Sequence, residues 1–348
     1  MREFNYCDLK NKAWSNEILN YCSIIHEAKS KQEFYLKQKP EELDKLVEIA
    51  KVQSTESSNA IEGIRTTNTR LKQLCQEKTT PKNRDEEEIA GYRDALNTIH
   101  ESFDSILLTP SYILQLHKIM CSHQSTNIGG KFKNAQNYIS AIDENGNSFT
   151  LFTPLSPFET PFAIEKICDE FNKAISENKV DPLILIPIFI HDFLCIHPFV
   201  DGNGRMSRLL TTLLLYRCGY EVGKYISLEA KIAKNKDLYY DALEKSQYGW
   251  SENIDNPEAF IKYLLGTIIS AYRDFEDRFN IVSGNKSALD MVKTAINGII
   301  GKFTKAKIHE LCPSLSISAI ESALRKLIDN NEITRHGIGK STFYTRNN

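Results

Sequence analysis

Hydrophobic residues recur at helical intervals along most of the chain. In residues 40–62 they are spaced three and four apart, at Leu43, Leu46, Val47 and Ala50. This spacing places them on one face of a helix, and Gly63 is a residue type that commonly ends one. We therefore expect a helix over about residues 42–63, which we call the early helix.

Further helical patterns follow. They cover Glu86–Phe103, Phe162–Ser176, Pro182–Ile196, Arg208–Tyr216 and roughly 228–280. The first opens with the acidic run DEEE, which suits the positive end of a helix dipole and predicts a solvated surface helix. The third is so apolar that it must lie at the centre of the core. Pro187 inside it predicts an irregular or kinked first turn.

Segments with β-forming residues are few. Residues 136–152 carry such residues on both sides of Asn145-Gly146, a pair that accepts the positive φ values of a tight hairpin turn. A proline-bearing link then leads into the helix at Phe162. The pattern therefore predicts a mainly α protein with a hairpin in the middle of the chain.

The C-terminal part differs in charge and in element order. From Lys286 to the end there are ten lysines and arginines against five acidic residues, although the whole chain has a net charge of −2. After the linker-like VSGNKS, three helical segments precede a hairpin pattern in EITRHGIGKSTFYTR, which is the order of a winged helix-turn-helix domain. We expect a separate domain over residues 286–348, with Ser316 or Ser318 capping its third helix.

Two kinds of partner remain open for this domain. Its basic face is formed by Arg325, Lys326, Arg335, Lys340 and Arg346. One interpretation is DNA binding through phosphate contacts. The other is docking on the core of the chain, on a second copy in a homodimer, or on a target protein. The positive surplus is too modest to decide between them.

Composition narrows the class of protein. With 41% hydrophobic and 25% charged residues among 348, the chain is globular rather than disordered or fibrous. Its eight cysteines are at least fifteen residues apart, which excludes zinc-type CxxC pairs and fits reduced thiols. The longest apolar run, LILIPIFI, is too short to span a bilayer, and the first residues lack a signal-peptide pattern. We expect a cytoplasmic protein without a membrane contact.

The stretch HPFVDGNGRMSR, residues 197–208, carries the candidate chemistry. A glycine-rich turn that enters a helix presents free amides and a positive dipole end, which bind phosphate. Arg205 and Arg208 lie on the first turn of that helix and can add charge-assisted hydrogen bonds. Asp201 can hold a magnesium ion. His197, at the end of the preceding helix, can act as a base toward a hydroxyl.

This stretch resembles the motif HPFxDGNGRxxR of the Fic family, whose members mostly transfer AMP from ATP to a hydroxyl of a target protein. The resemblance implies a helical Fic core over residues 85–281, preceded by an N-terminal helical region over 1–84. It also implies that His197 deprotonates a Ser, Thr or Tyr hydroxyl, which then attacks the α-phosphate of ATP. By the same resemblance, Asp201 holds Mg²⁺, and the ATP phosphates are bound by Gly202, Asn203, Gly204, Arg205 and Arg208.

The resemblance also gives a role to the central hairpin. In the family, a hairpin called the flap lies over the site and binds the target segment as an added strand. The residues that fit this role precede the Asn-Gly turn and are Gln136, Asn137, Tyr138, Ile139 and Ser140. The alternative is a plain edge hairpin without a target.

Part of the early helix resembles the inhibitory motif of the same family, which is Ser or Thr, three further residues, Glu, and then Gly or Asn. The sequence SSNAIEG places Ser58 four residues before Glu62, and Gly63 follows. Residues four apart share one helix face. The resemblance implies that Glu62 pairs with Arg208, the arginine that the γ-phosphate of ATP needs. A capped surface helix is the alternative for so short a motif.

Two functional classes remain open. The first is a protein adenylyltransferase that uses ATP and Mg²⁺ and modifies a target protein or itself. The second is a transcription regulator in which the Fic core senses a nucleotide and the C-terminal domain binds DNA. Within the first class, removal of AMP and transfer of another phosphate-containing group also remain open. The intact His197 favours the enzyme.

Overall fold

The computed structural model describes residues 2–38, 40–125, 128–142, 147–282, 287–299, 301–312, 315–337 and 339–347, and most of them are helical, as the sequence predicts. The helices are α1 (Asn16–Gln38), α2 (Pro40–Ile61), α3 (Asn68–Cys75), α4 (Arg84–Ser102), α5 (Pro110–Met120), α6 (Thr160–Glu177), α7 (Pro182–Ile196), α8 (Asn203–Arg217), α9 (Leu228–Lys234), α10 (Lys236–Gln247), α11 (Glu258–Val282), α12 (Ala288–Asn297), α13 (Lys305–Leu311) and α14 (Ile317–Asp329). The strands are β1 (Ile139–Ile142), β2 (Ser148–Phe152), β3 (Ile333–His336) and β4 (Phe343–Arg346).

Helix α7 lies at the centre of the core, because its sequence is apolar on every face. It packs against α6, α8, α10 and α11, and the side chain of Asp181 caps its N-terminus by accepting from the amide of Leu183. Pro187 does not interrupt it, so the expected irregular first turn is absent from this helix. In the described ranges, no helix has both the length and the apolar character to cross a membrane.

Helix α4 is buried, which corrects the prediction of a solvated helix over Glu86–Phe103. It packs against α2, α5 and α8, and it begins at Arg84 after the cap residue Asn83. Two of its acidic residues, Glu86 and Glu88, are buried because arginines pair with them. Arg70 lies 2.6 Å from Glu86, and this contact lowers the pKa of the carboxyl to about 2. The sequence pattern missed these pairs because they join different elements.

The early helix is α2, which ends at Ile61 and packs against α4, α8 and α9. Its residues Leu43, Leu46 and Ala50 are buried, as their spacing predicts. Gly63 follows with a φ of +84°, a left-handed conformation that favours glycine. The chain therefore turns directly after α2, and this turn carries Glu62 towards α8.

The two hairpins are antiparallel. In the central hairpin, Ser140 of β1 lies opposite Thr150 of β2, with an irregularity between Ile139 and Ser140. The predicted Asn145-Gly146 turn lies outside the described residues. In the C-terminal hairpin, β3 and β4 pair without an irregularity.

The C-terminal helices α12, α13 and α14 and the hairpin β3–β4 enclose a hydrophobic cluster of their own. Their order agrees with the predicted order, and the winged-helix assignment stays a prediction. Ser316, rather than Ser318, caps α14. Arg278 of α11 lies 3.2 Å from Glu310 of α13, so an ion pair links this unit to the preceding helix. Residues 283–286 of the expected linker lie outside the described part, and the domain boundaries stay predictions.

A groove of about 590 Å³ on the C-terminal unit is lined by Lys305, Arg325 and Arg335, with Glu321 as an acidic neighbour. The side chain of Lys340 lies outside the described part of the chain. The groove is compatible with DNA and with a protein, so both partners, like the homodimer, stay predictions.

Candidate active site

The predicted motif forms the loop between α7 and α8. His197 ends α7 with a φ of +53°, and Gly202 precedes α8 with a φ of +82°. The side chain of Asn203 closes the loop, since its Oδ1 accepts from the amide of Phe199 at 2.9 Å and its Nδ2 donates to the carbonyl of Phe199 at 2.8 Å. Helix α8 therefore begins at Asn203, five residues before the predicted start at Arg208.

The imidazole of His197 is prepared to accept a proton. Its Nδ1 lies 3.2 Å from the carbonyl of Leu194. Because a carbonyl only accepts, Nδ1 carries the hydrogen and Nε2 keeps a free lone pair. Burial lowers the pKa of His197 from 6.5 to about 4, so the ring is neutral at physiological pH. These are the properties of a general base.

The first turn of α8 is the candidate anion site. Its N-cap residue is Gly202, which has no side chain to cap the helix, so the amides that follow are directed toward the cleft. The side chain of Asn203 is hydrogen-bonded to the backbone of Phe199, so only the backbone amide of Asn203 can donate to a phosphate. A Cβ at Gly204 would overlap Oε1 of Glu62. The carboxylate of Glu62 therefore lies directly over the site where an anion is expected.

Asp201 lies at the mouth of the cleft and fits the predicted metal role. Its side chain is 42% exposed, and its Oδ1 accepts from the amide of Gly202 at 2.6 Å. The described residues include no cluster of three or more potential metal ligands. A single carboxylate agrees with Mg²⁺ chemistry, because this ion usually takes one or two carboxylates together with phosphates and waters.

Arg205 is almost fully buried, although it lines part of the cleft. It is 2% exposed, and its Nη1 lies 2.7 Å from Glu88 of α4. Its Nη2 lies 3.7 Å from Asp201. Its predicted role in phosphate binding stays a prediction. In the structure it joins α4 to the motif loop.

Arg208 contacts Ser58 and Glu62 of the predicted inhibitory motif. Its Nη2 lies 2.8 Å from Oε1 of Glu62 and donates to the carbonyl of Ser58 at 2.9 Å. Its Nε donates to Oγ of Ser58 at 2.8 Å. The guanidinium is 3% exposed and the side chain of Glu62 is 32% exposed, so solvent reaches the pair only from the side of the carboxylate. The early helix thus places three acceptors around one arginine.

Two cavities meet at these residues. The first measures about 430 Å³ and is lined by Asp201, Gly202, Asn203 and Gly204. The second measures about 350 Å³ and is lined largely by aromatic and apolar side chains, including Tyr138, Tyr239, Tyr240 and Leu243. Glu62, His197 and Gly204 line both. One polar and one aromatic space therefore lie on either side of Glu62.

The first residues of the predicted flap lie before the strand and bind other backbone. Gln136 donates from Nε2 to the carbonyl of Pro154 at 3.0 Å. Asn137 donates from Nδ2 to the carbonyls of His197 at 3.3 Å and Phe199 at 3.1 Å. Asn137 therefore holds the start of the hairpin against the motif loop, and Gln136 binds the segment that follows β2.

The other predicted flap residues lie in or beside β1. Tyr138 is 61% exposed, and together with Ile139 it lines the aromatic cavity. Ile139 and Ser140 belong to β1, which pairs with β2 on one side in a two-stranded sheet. One edge of β1 therefore has no partner strand among the described residues. This edge lies on the hairpin that reaches His197.

Sequence reasoning missed three residues that support the loop. His117 of α5 stacks on Phe199 with ring centroids 3.7 Å apart and donates from Nε2 to the carbonyl of Asp201 at 3.1 Å. Glu88 pairs with Arg205, and Lys133 is buried beside the loop. No local pattern marks them, since each comes from an element distant in sequence.

Comparison with known proteins relates this geometry to a family. A family model described as Fic/DOC matches residues 107–215. The protein adenylyltransferase Fic of Drosophila willistoni is 31% identical over 134 residues, which is 38% of this chain and 25% of that protein. A Fido domain-containing protein of Dictyostelium discoideum is 35% identical over 92 residues, 24% of this chain and 64% of its own length. The match thus spans about a quarter of the Drosophila protein.

Solved structures extend the likeness beyond this segment. A Fic domain containing signaling protein from Bacteroides thetaiotaomicron is 26% identical, with a TM-score of 0.61 over 72% of this chain and 94% of that one. A Fic family protein from Desulfovibrio desulfuricans shares the fold, with 18% identity and a TM-score of 0.62 over 97% of both chains. The motif, the family model over residues 107–215 and the fold agree on a Fic domain in this part of the chain.

Proposed function

We propose that this chain is a protein adenylyltransferase, which transfers AMP from ATP to a Ser, Thr or Tyr hydroxyl of a protein with release of pyrophosphate. The observation that carries the proposal is the shared cleft of His197, Gly204 and Arg208. The neutral base His197, the N-terminus of α8 at Gly204 and the cation Arg208 therefore line one cavity. This set suits an attack by a hydroxyl on a phosphate.

In the proposed reaction, Nε2 of His197 takes the proton of the acceptor hydroxyl. The oxygen attacks the α-phosphorus in line, and the bond from that phosphorus to the bridging oxygen of the leaving pyrophosphate breaks. The hydrogen bond from Nδ1 to Leu194 holds the ring in the required tautomer. A positioned base of this kind contributes about 10²- to 10⁴-fold in rate.

The first turn of α8 binds the phosphates in this proposal. Backbone amides at Asn203 and Gly204 and the helix dipole stabilise negative charge, and Arg208 binds the terminal phosphates when it is free. Asp201 would hold Mg²⁺, which would neutralise negative charge on the phosphates. The aromatic cavity with Tyr239 and Tyr240 has the lining expected for a nucleobase.

Glu62 acts as an inhibitor in this proposal, because ATP and Glu62 compete for the same side chain. With Glu62 on Arg208 at 2.8 Å, the terminal phosphates lose their cation. They also meet the negative charge of the carboxylate over Gly204. In this proposal, the Glu62–Arg208 pair therefore holds the enzyme in its inhibited state.

The target protein is bound by the hairpin. Its acceptor segment adds to the unpaired edge of β1 through backbone hydrogen bonds, which fix the hydroxyl near His197 while tolerating varied side chains. A target, or a second copy of the chain, can therefore be modified at a residue that backbone pairing places at the cleft.

One labelling experiment tests the proposal. Wild type, Glu62→Gly and His197→Ala are incubated with α-labelled ATP, Mg²⁺ and a cell lysate, and the labelled proteins are separated by size. We expect the strongest labelling with Glu62→Gly and none above background with His197→Ala. A parallel incubation with γ-labelled ATP must leave the proteins unlabelled. Equal labelling by His197→Ala, or label from the γ-position, contradicts AMP transfer by this site.

A further inference from the structure

Lys133 is buried next to the loop that carries His197. It is 3% exposed, which is rare for a lysine. Among the described residues, no carboxylate lies within ion-pair distance of its amine. Burial lowers the pKa of Lys133 from 10.5 to about 8. Burial of an amine without a paired carboxylate lowers the stability of the fold unless hydrogen bonds offset this cost.

Those hydrogen bonds surround His197. The amine of Lys133 donates to the carbonyl of Ile196 at 3.0 Å and to Oδ1 of Asn137 at 2.9 Å. The backbone amide of Lys133 donates to the carbonyl of Pro198 at 2.8 Å. One residue therefore binds the carbonyls on both sides of the candidate base.

Asn137 binds two further carbonyls of the same loop. Its Nδ2 donates to the carbonyls of His197 and Phe199, at 3.3 and 3.1 Å. Because a protonated amine only donates, Lys133 faces Oδ1 of Asn137, which directs Nδ2 toward the loop. Four consecutive carbonyls, from residue 196 to residue 199, are thus bound by these two residues.

The backbone of His197 needs such support. Its φ of +53° is a left-handed conformation that residues other than glycine rarely adopt. Such a conformation is strained and persists only where neighbouring contacts impose it. If the backbone relaxes, the ring loses the bond from Nδ1 to Leu194 that sets its tautomer.

We propose that Lys133 is a positioning residue that, together with Asn137, holds His197 in its left-handed conformation and in the Nδ1–H tautomer. Asn137 lies two residues before β1, so the same pair ties the base to the strand that receives the target. The inference rests on the proposed function for its catalytic meaning. The geometry itself can be measured without any turnover.

The first test uses NMR of protein labelled with ¹⁵N at histidine, with His197→Ala to assign the resonances of His197. We expect the Nδ1–H tautomer in wild type and in Lys131→Met, a control that removes an exposed lysine from the same loop. Lys133→Met shifts the resonances toward the Nε2–H tautomer. Asn137→Ala does the same and serves if Lys133→Met does not fold. An unchanged tautomer in either folded variant overturns the inference.

The second test measures AMP transfer in the Glu62→Gly background. Misplacement of a catalytic group by about 1 Å costs about 100-fold in rate, so Lys133→Met lowers kcat by about that factor. The KM for ATP stays unchanged, because the phosphate-binding turn is intact. An equal loss of ATP affinity points to a general structural role and overturns the inference. An inactive Glu62→Gly reference contradicts the proposed function alone, and the tautomer measurement then decides the role of Lys133.

Discussion

Arg208 and Glu62 form a 2.8 Å ion pair across the first turn of α8, and Oγ of Ser58 accepts a hydrogen bond from Nε of the same guanidinium. The pair joins a helix that precedes the Fic domain to the turn that is expected to bind phosphate. The ion pair therefore affects the charge of the cleft as well as the stability of the fold. Whatever breaks this pair changes the charge that a nucleotide meets at the cleft.

The first prediction concerns ATP affinity. Glu62→Gly removes the partner of Arg208, so the cation becomes available to the terminal phosphates and the repulsion over Gly204 disappears. Hydrogen bonds to charged groups contribute about 1.5–3 kcal/mol, so we expect ATP to bind at least about tenfold more tightly. Isothermal titration with Mg²⁺ and ATP measures this change.

Glu62→Gln separates charge from shape in the same experiment. Its amide keeps the size of the side chain but not its charge, so we expect an affinity between those of wild type and Glu62→Gly. Identical ATP affinity in all three proteins would show that Glu62 does not compete with ATP.

The second prediction concerns the contact that fixes the end of α2. Lys236 of α10 donates to the carbonyl of Ile61, the last residue of that helix, at 2.6 Å. A cation at a helix C-terminus is favourable, and this one lies next to Glu62. We expect Lys236→Met to loosen the turn and to raise AMP transfer, although less than Glu62→Gly does. Rates of labelling with α-labelled ATP measure the difference.

Lys245→Met is the matched control for this variant. Lys245 lies on the same helix in an exposed pair with Asp241, far from α2 in sequence and without a contact to it in the described structure. We expect transfer equal to that of wild type. Activation by both variants would indicate an effect of net charge rather than of the contact with Ile61.

The third prediction separates binding from chemistry at His197. His197→Ala removes the base but leaves the first turn of α8 and Arg208 in place. We therefore expect the rate of transfer in the Glu62→Gly background to fall by about 10²- to 10⁴-fold. The affinity for ATP stays the same. A comparable loss of ATP affinity would assign His197 to nucleotide binding instead of proton transfer.

The local part of the site could be predicted from the sequence because its residues are contiguous. A helix that ends, a glycine-rich turn and a second helix leave few arrangements for residues 197–208. The position of Glu62 was predicted through its motif, and the structure places it on Arg208 at 2.8 Å. The predicted start of α8 at Arg208 is too late, because the helix begins at Asn203.

The remainder depends on contacts between distant segments, which spacing does not encode. The acidic run at the start of α4 has the composition of a solvated surface, yet Glu86 and Glu88 are buried because Arg70 and Arg205 neutralise them. Lys133 and His117 give no periodic signal either. Both side chains donate to backbone carbonyls of a loop that lies more than sixty residues later in the chain.

The last prediction concerns acid stability, and it begins with four histidines, of which His117 and His191 are buried and His100 and His197 half-buried. Burial is the largest cause of the lowered pKa in each of them. The pKa falls from 6.5 to about 3 for His100 and to about 4 for His117, His191 and His197. Their unfolded forms keep a pKa near 6.5, so between pH 6.5 and 4 the unfolded chain binds more protons than the folded one.

The contribution of these histidines to stability is therefore complete above about pH 6.5 and is lost as the pH falls toward 4, by up to about 1.4 kcal/mol per pH unit for each group. Urea unfolding at a series of pH values measures the free energy of unfolding across this window. His191→Gln removes one titrating group, so its curve should fall less steeply than that of wild type. Equal slopes for the two proteins would mean that His191 takes up its proton without unfolding, and that the burial of its ring does not oppose the charge.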